Sequence, residues 1–164
     1  MSLSDNKILK FLSKLKSSIA DEKIPPRIEK AIRMYKKETN LLYIDKNNES
    51  FKAVIKSQSH PDKLEYAVKL SSKGRFFCGT QNLRPCGGLR GKICKHIILA
   101  LVAVIKSDQG TIDEMIKWVD RTKLYKPYLN KDEATVIFLK YSNALAGVIE
   151  WRPVEILPED FFAF

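Results

Sequence analysis

The sequence predicts an α+β fold in which a small antiparallel sheet and a strand-to-helix segment that contains the cysteines are flanked by N- and C-terminal helices. Apolar residues recur at helical spacing near both ends of the chain, and they alternate with polar residues in the middle. All three cysteines of the chain lie between residues 78 and 94. The 164 residues, of which 45% are hydrophobic, are enough to form a real core, so global disorder is not expected.

Two helices are predicted in the N-terminal region, residues 1–39. Ser4 or Asp5 is a candidate N-cap for the first helix. Its apolar stripe follows the helical repeat and consists of Ile8, Leu12, Leu15 and Ile19. Pro25 and Pro26 are expected to start the second helix, because proline is tolerated in a first turn. The predicted buried side of that helix contains Ile28, Ala31, Ile32 and Tyr35.

Strand-like segments dominate the central region, residues 40–107. Apolar runs at 41–44 and 51–55 are separated by a polar turn, which is typical of a hairpin. Between residues 64 and 70, apolar and polar side chains alternate, which predicts a strand with one buried face. The nine apolar residues from 97 to 105 are too few to span a bilayer and instead predict a buried helix.

The C-terminal region, residues 108–164, is predicted to be mainly helical. Thr111 and Glu114 have the spacing of a capping box, and the helix that follows has an apolar side of Ile112, Met115, Ile116 and Val119. Another helix is expected over 131–145, ended by Gly147, with a short strand at 148–151. The acidic, aromatic tail that follows either packs on the domain or docks on a partner. Packing is favoured, because large aromatic side chains are rarely exposed together.

The cysteine and histidine residues form the most informative pattern, Cys78-x7-Cys86-x7-Cys94-x-His96. Without an apolar secretory signal we expect a cytoplasmic location, where cysteines are more often metal ligands than disulfides. Three thiolates and one imidazole complete a tetrahedral zinc shell of the structural type. Because residues two apart on a helix point in different directions, Cys94 is expected at or before a helix N-terminus and His96 in its first turn. The other histidine, His60, is predicted to be structural or idle.

The order of a strand, a cysteine pair and a Cys-x-His that opens an apolar helix resembles the SWIM zinc finger, whose pattern is Cys-x-Cys, a spacer and Cys-x-His. The resemblance covers roughly residues 40–107, and its most specific part is Cys94-Lys-His96 followed by Ile-Ile-Leu-Ala. Seven residues, rather than one, separate Cys78 from Cys86. SWIM fingers are regarded as DNA-binding or protein-interaction modules, and some prokaryotic members look like accessory proteins of AAA+ ATPase systems. The resemblance therefore implies a binding role.

Positive charge is concentrated around the proposed metal ligands. The chain carries a net charge of +10, of which residues 1–50 contribute +4, residues 51–107 contribute +9 and residues 108–164 contribute −3. A clustered positive field suits a polyanion partner, although a solvated lysine-rich surface has the same composition. The candidate phosphate-contacting residues lie between or beside the cysteines and are Arg84, Arg90, Lys92 and Lys95.

Patterns of known catalytic sites are incomplete in this sequence. Pro85-Cys86 lacks the second cysteine and the His-x-Glu of a zinc deaminase, and Gly91-Lys92 lacks the rest of a P-loop. We therefore expect a non-catalytic zinc module with no small-molecule substrate and no membrane partner. DNA or RNA is the first candidate partner. A protein-adaptor role, for example toward an ATPase, is the alternative, and the −3 charge of residues 108–164 favours it.

Overall fold

A four-stranded antiparallel sheet lies at the centre of the fold, in a computed structural model that describes residues 3–38 and 40–151. Each strand pairs with the next one along the chain, so the sheet is a simple meander. Val68 lies opposite Ala53 on one side and Cys78 on the other, which fixes the register through the middle of the sheet. In chain order the strands are β1 Leu41–Lys46, β2 Ser50–Lys56, β3 Glu65–Ser71 and β4 Phe76–Thr80.

Helices flank this sheet in sequence and in space, so the predicted α+β fold is confirmed. In the described residues the α-helices are α1 Leu3–Ser18, α2 Ile24–Arg33, α3 Lys95–Lys106, α4 Ile112–Arg121 and α5 Lys131–Trp151. A single π-helical turn, Met34–Glu38, extends α2, and a 3₁₀ turn, Thr122–Leu124, follows α4. Proline occupies the first positions of α2, as predicted.

One face of the sheet packs against α3, which is itself covered by other helices. All residues of α3 from His96 to Ile105 are buried, which confirms the helix predicted from the apolar run. The apolar stripe predicted for α1 is buried in the same core, together with Phe11, which the stripe did not include. Side chains from residue 8 to residue 119 contribute to this core, so α1, α2, α3, α4 and the sheet share it.

The other face of the sheet is covered by α5. Val54, Ala67 and Phe77 of the sheet pack with Ala134 and Ile137 of this helix in a second, smaller apolar cluster. The alternation at residues 64–70 predicted only one buried face for β3, and this is corrected by the structure. Ala67 occupies a position on the predicted polar face of the strand, yet it is fully buried under α5.

The predicted helix boundaries were right at some ends and wrong at others. Thr111 is the N-cap of α4, and its Oγ1 accepts a hydrogen bond of 3.1 Å from the backbone N–H of Glu114. Helix α1 already includes Leu3, so Ser4 and Asp5 lie inside it rather than capping it. Helix α5 continues through Gly147 to Trp151, and the strand predicted at 148–151 is wrong. A glycine inside a helix costs only about 1 kcal/mol relative to alanine, which neighbouring helical turns can offset.

The predicted tail packing falls outside the described residues, which end at Trp151. None of the helices in the described ranges is long and apolar enough to cross a bilayer.

Candidate metal centre

Cys78 and Cys86 lie next to each other at the base of a tight hairpin. Cys78 is in β4, and the chain then turns so that the N–H of Cys86 donates a 2.9 Å hydrogen bond to the carbonyl of Cys78. Inside this pair, the N–H of Thr80 donates to the carbonyl of Arg84, also at 2.9 Å. Leu83 turns the chain with a positive φ of 60°. The seven residues between the two cysteines thus complete a hairpin that brings the two cysteine side chains together.

A second loop carries the chain from Cys86 to Cys94. The N–H of Gly88 donates to the Sγ of Cys86 at 3.4 Å, which turns the backbone around the sulfur. Positive φ angles at Arg90 and Gly91, 44° and 82°, reverse the chain direction. Leu89 and Ile93 are buried and anchor the loop in the main core.

Cys94 and His96 take the positions that the Cys-x-His spacing predicted. Cys94 is the N-cap of α3, with extended backbone angles of φ −94° and ψ 174°. His96 lies in the first turn of that helix. The change from extended to helical backbone between them allows both side chains to face the same point, although they are only two residues apart.

The structure brings all four predicted ligands into one buried cluster. One ligand atom from each of Cys78, Cys86, Cys94 and His96 lies within 4.8 Å of all the others. The Nδ1 atom of His96 is 3.6, 3.5 and 3.8 Å from the three Sγ atoms, in sequence order. A tetrahedral zinc ion with Zn–S bonds of about 2.3 Å and a Zn–N bond of about 2.0–2.1 Å requires S···N separations of about 3.6 Å. The cluster could therefore hold a metal ion, and its dimensions fit zinc.

Burial and mutual contact perturb the three thiols in a way that a cation would relieve. Burial raises the pKa of the Cys78 thiol well above its usual range, and it raises the pKa of Cys94 to about 12. Hydrogen bonds from the Cys78 and Cys94 side chains lower the pKa of the Cys86 thiol. A bound divalent cation deprotonates coordinating thiols outright, because its own charge dominates such a site.

The imidazole of His96 stacks on the ring of Tyr66, and only one of its two nitrogens faces the sulfurs. The two rings stack with centroids 4.0 Å apart and planes 20° from parallel. Nδ1 faces the sulfurs, whereas Nε2 is buried and has no hydrogen-bond partner in the described part of the chain. Burial raises the pKa of the Tyr66 hydroxyl, and the nearby Cys86 sulfur adds to the effect.

Arg27 stabilises the loop between Cys86 and Cys94, which we call the second metal loop. No pattern in the sequence identified Arg27 in this role. Its Nη1 donates hydrogen bonds to the carbonyls of Leu89 and Ile93 at 3.0 and 2.8 Å. These contacts tie α2 to the loop between Cys86 and Cys94. Arg27 precedes its two partners by more than 60 residues, so no local spacing could have indicated the contact.

A cavity of about 490 Å³ opens beside the metal cluster, and we call it the basic pocket. His96, Tyr66 and Cys86 form part of its wall. None of the residues that line it in the described part of the chain is an aspartate or glutamate. Its cationic side chains come from three parts of the fold and are Lys23, Arg27, Lys30, Arg90 and Lys95.

The four cations that the sequence singled out are thus divided between different places. Arg90 and Lys95 line the basic pocket, and Lys95 also donates to the Oε1 of Gln58 at 2.8 Å. Arg84 is exposed in the hairpin loop, and Lys92 is half-buried in the second loop. Neither of these two lines the pocket. Three of the pocket cations were missed by sequence reasoning, because they lie in α2 or at its N-cap, far from the cysteines in the chain: Lys23, Arg27 and Lys30.

The chain matches no protein-family model, no curated protein and no solved structure.

Proposed function

We propose that this chain is a non-catalytic zinc module, similar to a SWIM finger, that binds nucleic acid through the basic surface beside its metal centre. Cys78, Cys86, Cys94 and His96 would hold the ion. The donor set supports zinc, because three thiolates and an imidazole favour it over hard cations. Four protein ligands leave no open coordination position for a substrate, which supports a structural ion rather than a catalytic one.

The observation that carries the nucleic-acid proposal is the basic pocket. Among the residues that the structure describes, five cations and no carboxylate line a cavity directly beside the metal ligands. One or two cations would offset the charge of −1 that three thiolates and a divalent ion leave behind. The remaining cations form a site at which phosphates can bind. Contacts of this kind recognise the nucleic-acid backbone rather than the bases.

A salt titration with the zinc-loaded protein tests this proposal. If four of its cations neutralise four phosphates of duplex DNA, the slope of log affinity against log salt should be about −3.6. The slope should not depend on the DNA sequence, because phosphate contacts carry no sequence information. Absence of detectable DNA or RNA binding at about 50 mM salt, a concentration at which such contacts are strong, would refute the proposal.

A protein-adaptor role is the second candidate, and exposed apolar side chains favour it. Leu124 and Tyr128, in the segment before α5, are 76% and 77% exposed. Val136 and Leu139 of α5 are 45% and 57% exposed. Large exposed apolar residues that cluster on one surface often mark a protein interface. Failure of nucleic-acid binding, together with a partner that dissociates on Leu139→Asp substitution, would support this candidate.

A further inference from the structure

The cations of the basic pocket converge on one cavity from separate segments of the chain. Lys23 and Lys30 belong to the start and the middle of α2, Arg90 to the second metal loop, and Lys95 to the first turn of α3. Cavities of roughly 300–1,000 Å³ accommodate small ligands, and this one measures about 490 Å³. A concave site of that size differs from the open basic surface along which a continuous duplex lies.

The Nε2 atom of His96, which has no hydrogen-bond partner among the described residues, is an independent indication of a ligand. The side chain is 2% exposed and forms part of the pocket wall. When Nδ1 binds an ion through its lone pair, the ring proton must be on Nε2, which then becomes a donor. A metal-bound histidine almost always donates this proton to an acceptor. No described residue accepts it here, and Nε2 is shielded from solvent in this structure, so a ligand in the pocket that supplies the acceptor has to displace the side chains that cover this nitrogen.

We propose that the basic pocket binds the terminal phosphate of a nucleic-acid strand, with the Nε2–H of His96 donating to a phosphate oxygen. This inference rests on the proposed nucleic-acid function and names the part of the ligand that the pocket takes. A phosphomonoester carries about −1.5 to −2 charges at pH 7 and three strong acceptor oxygens. An internal phosphodiester has one charge, and the sugars on both sides of it hinder its entry into a concave site. The number of cations and the concave shape both suit the strand end.

The inference also connects the metal to the ligand. Zinc would order the loop that carries Arg90, and coordination through Nδ1 would direct the proton of His96 toward the phosphate. Metal loading and phosphate binding would then be linked, so phosphate should stabilise the zinc-loaded protein.

Strands of one sequence that differ only at their ends test the inference. Fluorescence anisotropy with the zinc-loaded full chain would compare single strands that end in a 5′-phosphate, a 3′-phosphate or hydroxyls alone. Because a hydrogen bond to a charged group contributes about 1.5–3 kcal/mol, one phosphorylated end should bind roughly tenfold or more tightly than the hydroxyl strand. Inorganic phosphate should compete for the site, whereas chloride at equal ionic strength should not.

Matched variants assign the effect to the pocket. Lys30→Gln and Arg90→Gln should remove the preference for a phosphorylated end. Arg84→Gln removes an exposed cation outside the pocket and should weaken both kinds of strand equally. His96→Cys retains four soft ligands but has no Nε2–H, so a zinc-loaded preparation should lose the preference as well. If that variant does not retain zinc, the Lys30 and Arg90 variants decide the matter.

The results separate this inference from the function on which it rests. Equal affinity for phosphorylated and hydroxyl strands, with both binding, would overturn the terminal-phosphate site and leave the nucleic-acid function standing. A preference that survives both Lys30→Gln and Arg90→Gln would likewise overturn it. Absence of binding by any strand would overturn the proposed function itself.

Discussion

The metal end of the molecule, around the four proposed ligands, and the face of the sheet covered by α5 are held by different forces. At the metal end, Cys78, Cys86, Cys94 and His96 bring polar, charge-bearing atoms into the protein interior, with the loops between them fixed by hydrogen bonds. Across the sheet, α5 is held by a small apolar cluster around Val54 and Ile137. Thiols and imidazoles crowded together do not pack favourably on their own, whereas apolar side chains do. The metal end should therefore depend on its ion, and the α5 face should not.

Removal of the proposed zinc ion should have the largest effect. Structural zinc contributes roughly 10–16 kcal/mol of apparent binding free energy in small fingers, whereas whole domains are stable by only about 5–15 kcal/mol. Chelation or Cys94→Ala should therefore expose the backbone amides of residues 78–96 to hydrogen exchange. His60→Ala is the matched control, because His60 is exposed and lies outside the cluster, and it should change nothing. A metal-free protein that kept its native melting temperature would show that the site is peripheral.

Truncation of Ile137 should have the next largest effect and should act on the other face. This side chain is 1% exposed in the cluster under α5, and its loss leaves a cavity. Ile137→Ala should lower the free energy of unfolding by about 2–5 kcal/mol in a denaturant titration. Zinc content should not change, because the three cysteine ligands belong to the core on the other face of the sheet. Leu139→Ala, on the exposed side of the same helix, should stay within about 0.5 kcal/mol of the parent protein.

Loss of the Arg27 side chain should have an intermediate effect that is confined to the metal end. Arg27→Gln removes the donor for the carbonyls of Leu89 and Ile93. Leaving such groups without a partner costs about 1–3 kcal/mol, so the loop should open more often and zinc should dissociate faster. Transfer of the ion to a chromogenic chelator measures that rate. Arg33→Gln, at the exposed end of the same helix, is the control, and an equal rate for both variants would contradict the role assigned to Arg27.

Removal of the cap of α4 should have the smallest effect. Thr111→Ala removes the acceptor for the Glu114 N–H and should cost about 1 kcal/mol of stability. The change lies in a helix that packs against α1 and, through Trp118, against Phe51 of β2. Zinc dissociation should therefore be the same as in the parent chain, and a faster rate would mean that the two ends of the molecule are coupled through the core.

Local patterns were sufficient to predict most of the elements. The stripe of α1, the cap of α4 and the apolar run of α3 each follow from side chains close together in the sequence, and all three are confirmed. The burial of Ala67 could not be predicted in this way, because it depends on the return of α5 to the sheet. The prediction that α5 ends at Gly147 is wrong for a different reason. The low helix propensity of a single glycine is too small a cost to end the helix.

The metal centre shows the same division between local and distant information. Cysteine and histidine spacing identified the four side chains that meet, and the Cys-x-His geometry placed Cys94 and His96 correctly. The sequence did not reveal that Nδ1, rather than Nε2, faces the sulfurs, because this depends on the orientation of the ring against Tyr66. The role of Arg27 could not be predicted from the sequence either, because Arg27 contacts the loop between Cys86 and Cys94 only through the packing of α2.

Metal analysis combined with X-ray absorption at the zinc edge tests the central claim most directly. The protein purified without chelators should contain one zinc ion per chain, with three sulfur neighbours at about 2.3 Å and one nitrogen at about 2.0–2.1 Å. The three thiols should react with a thiol reagent only after the ion is removed. Substoichiometric metal after gentle purification, together with three freely titrating thiols, would contradict the account.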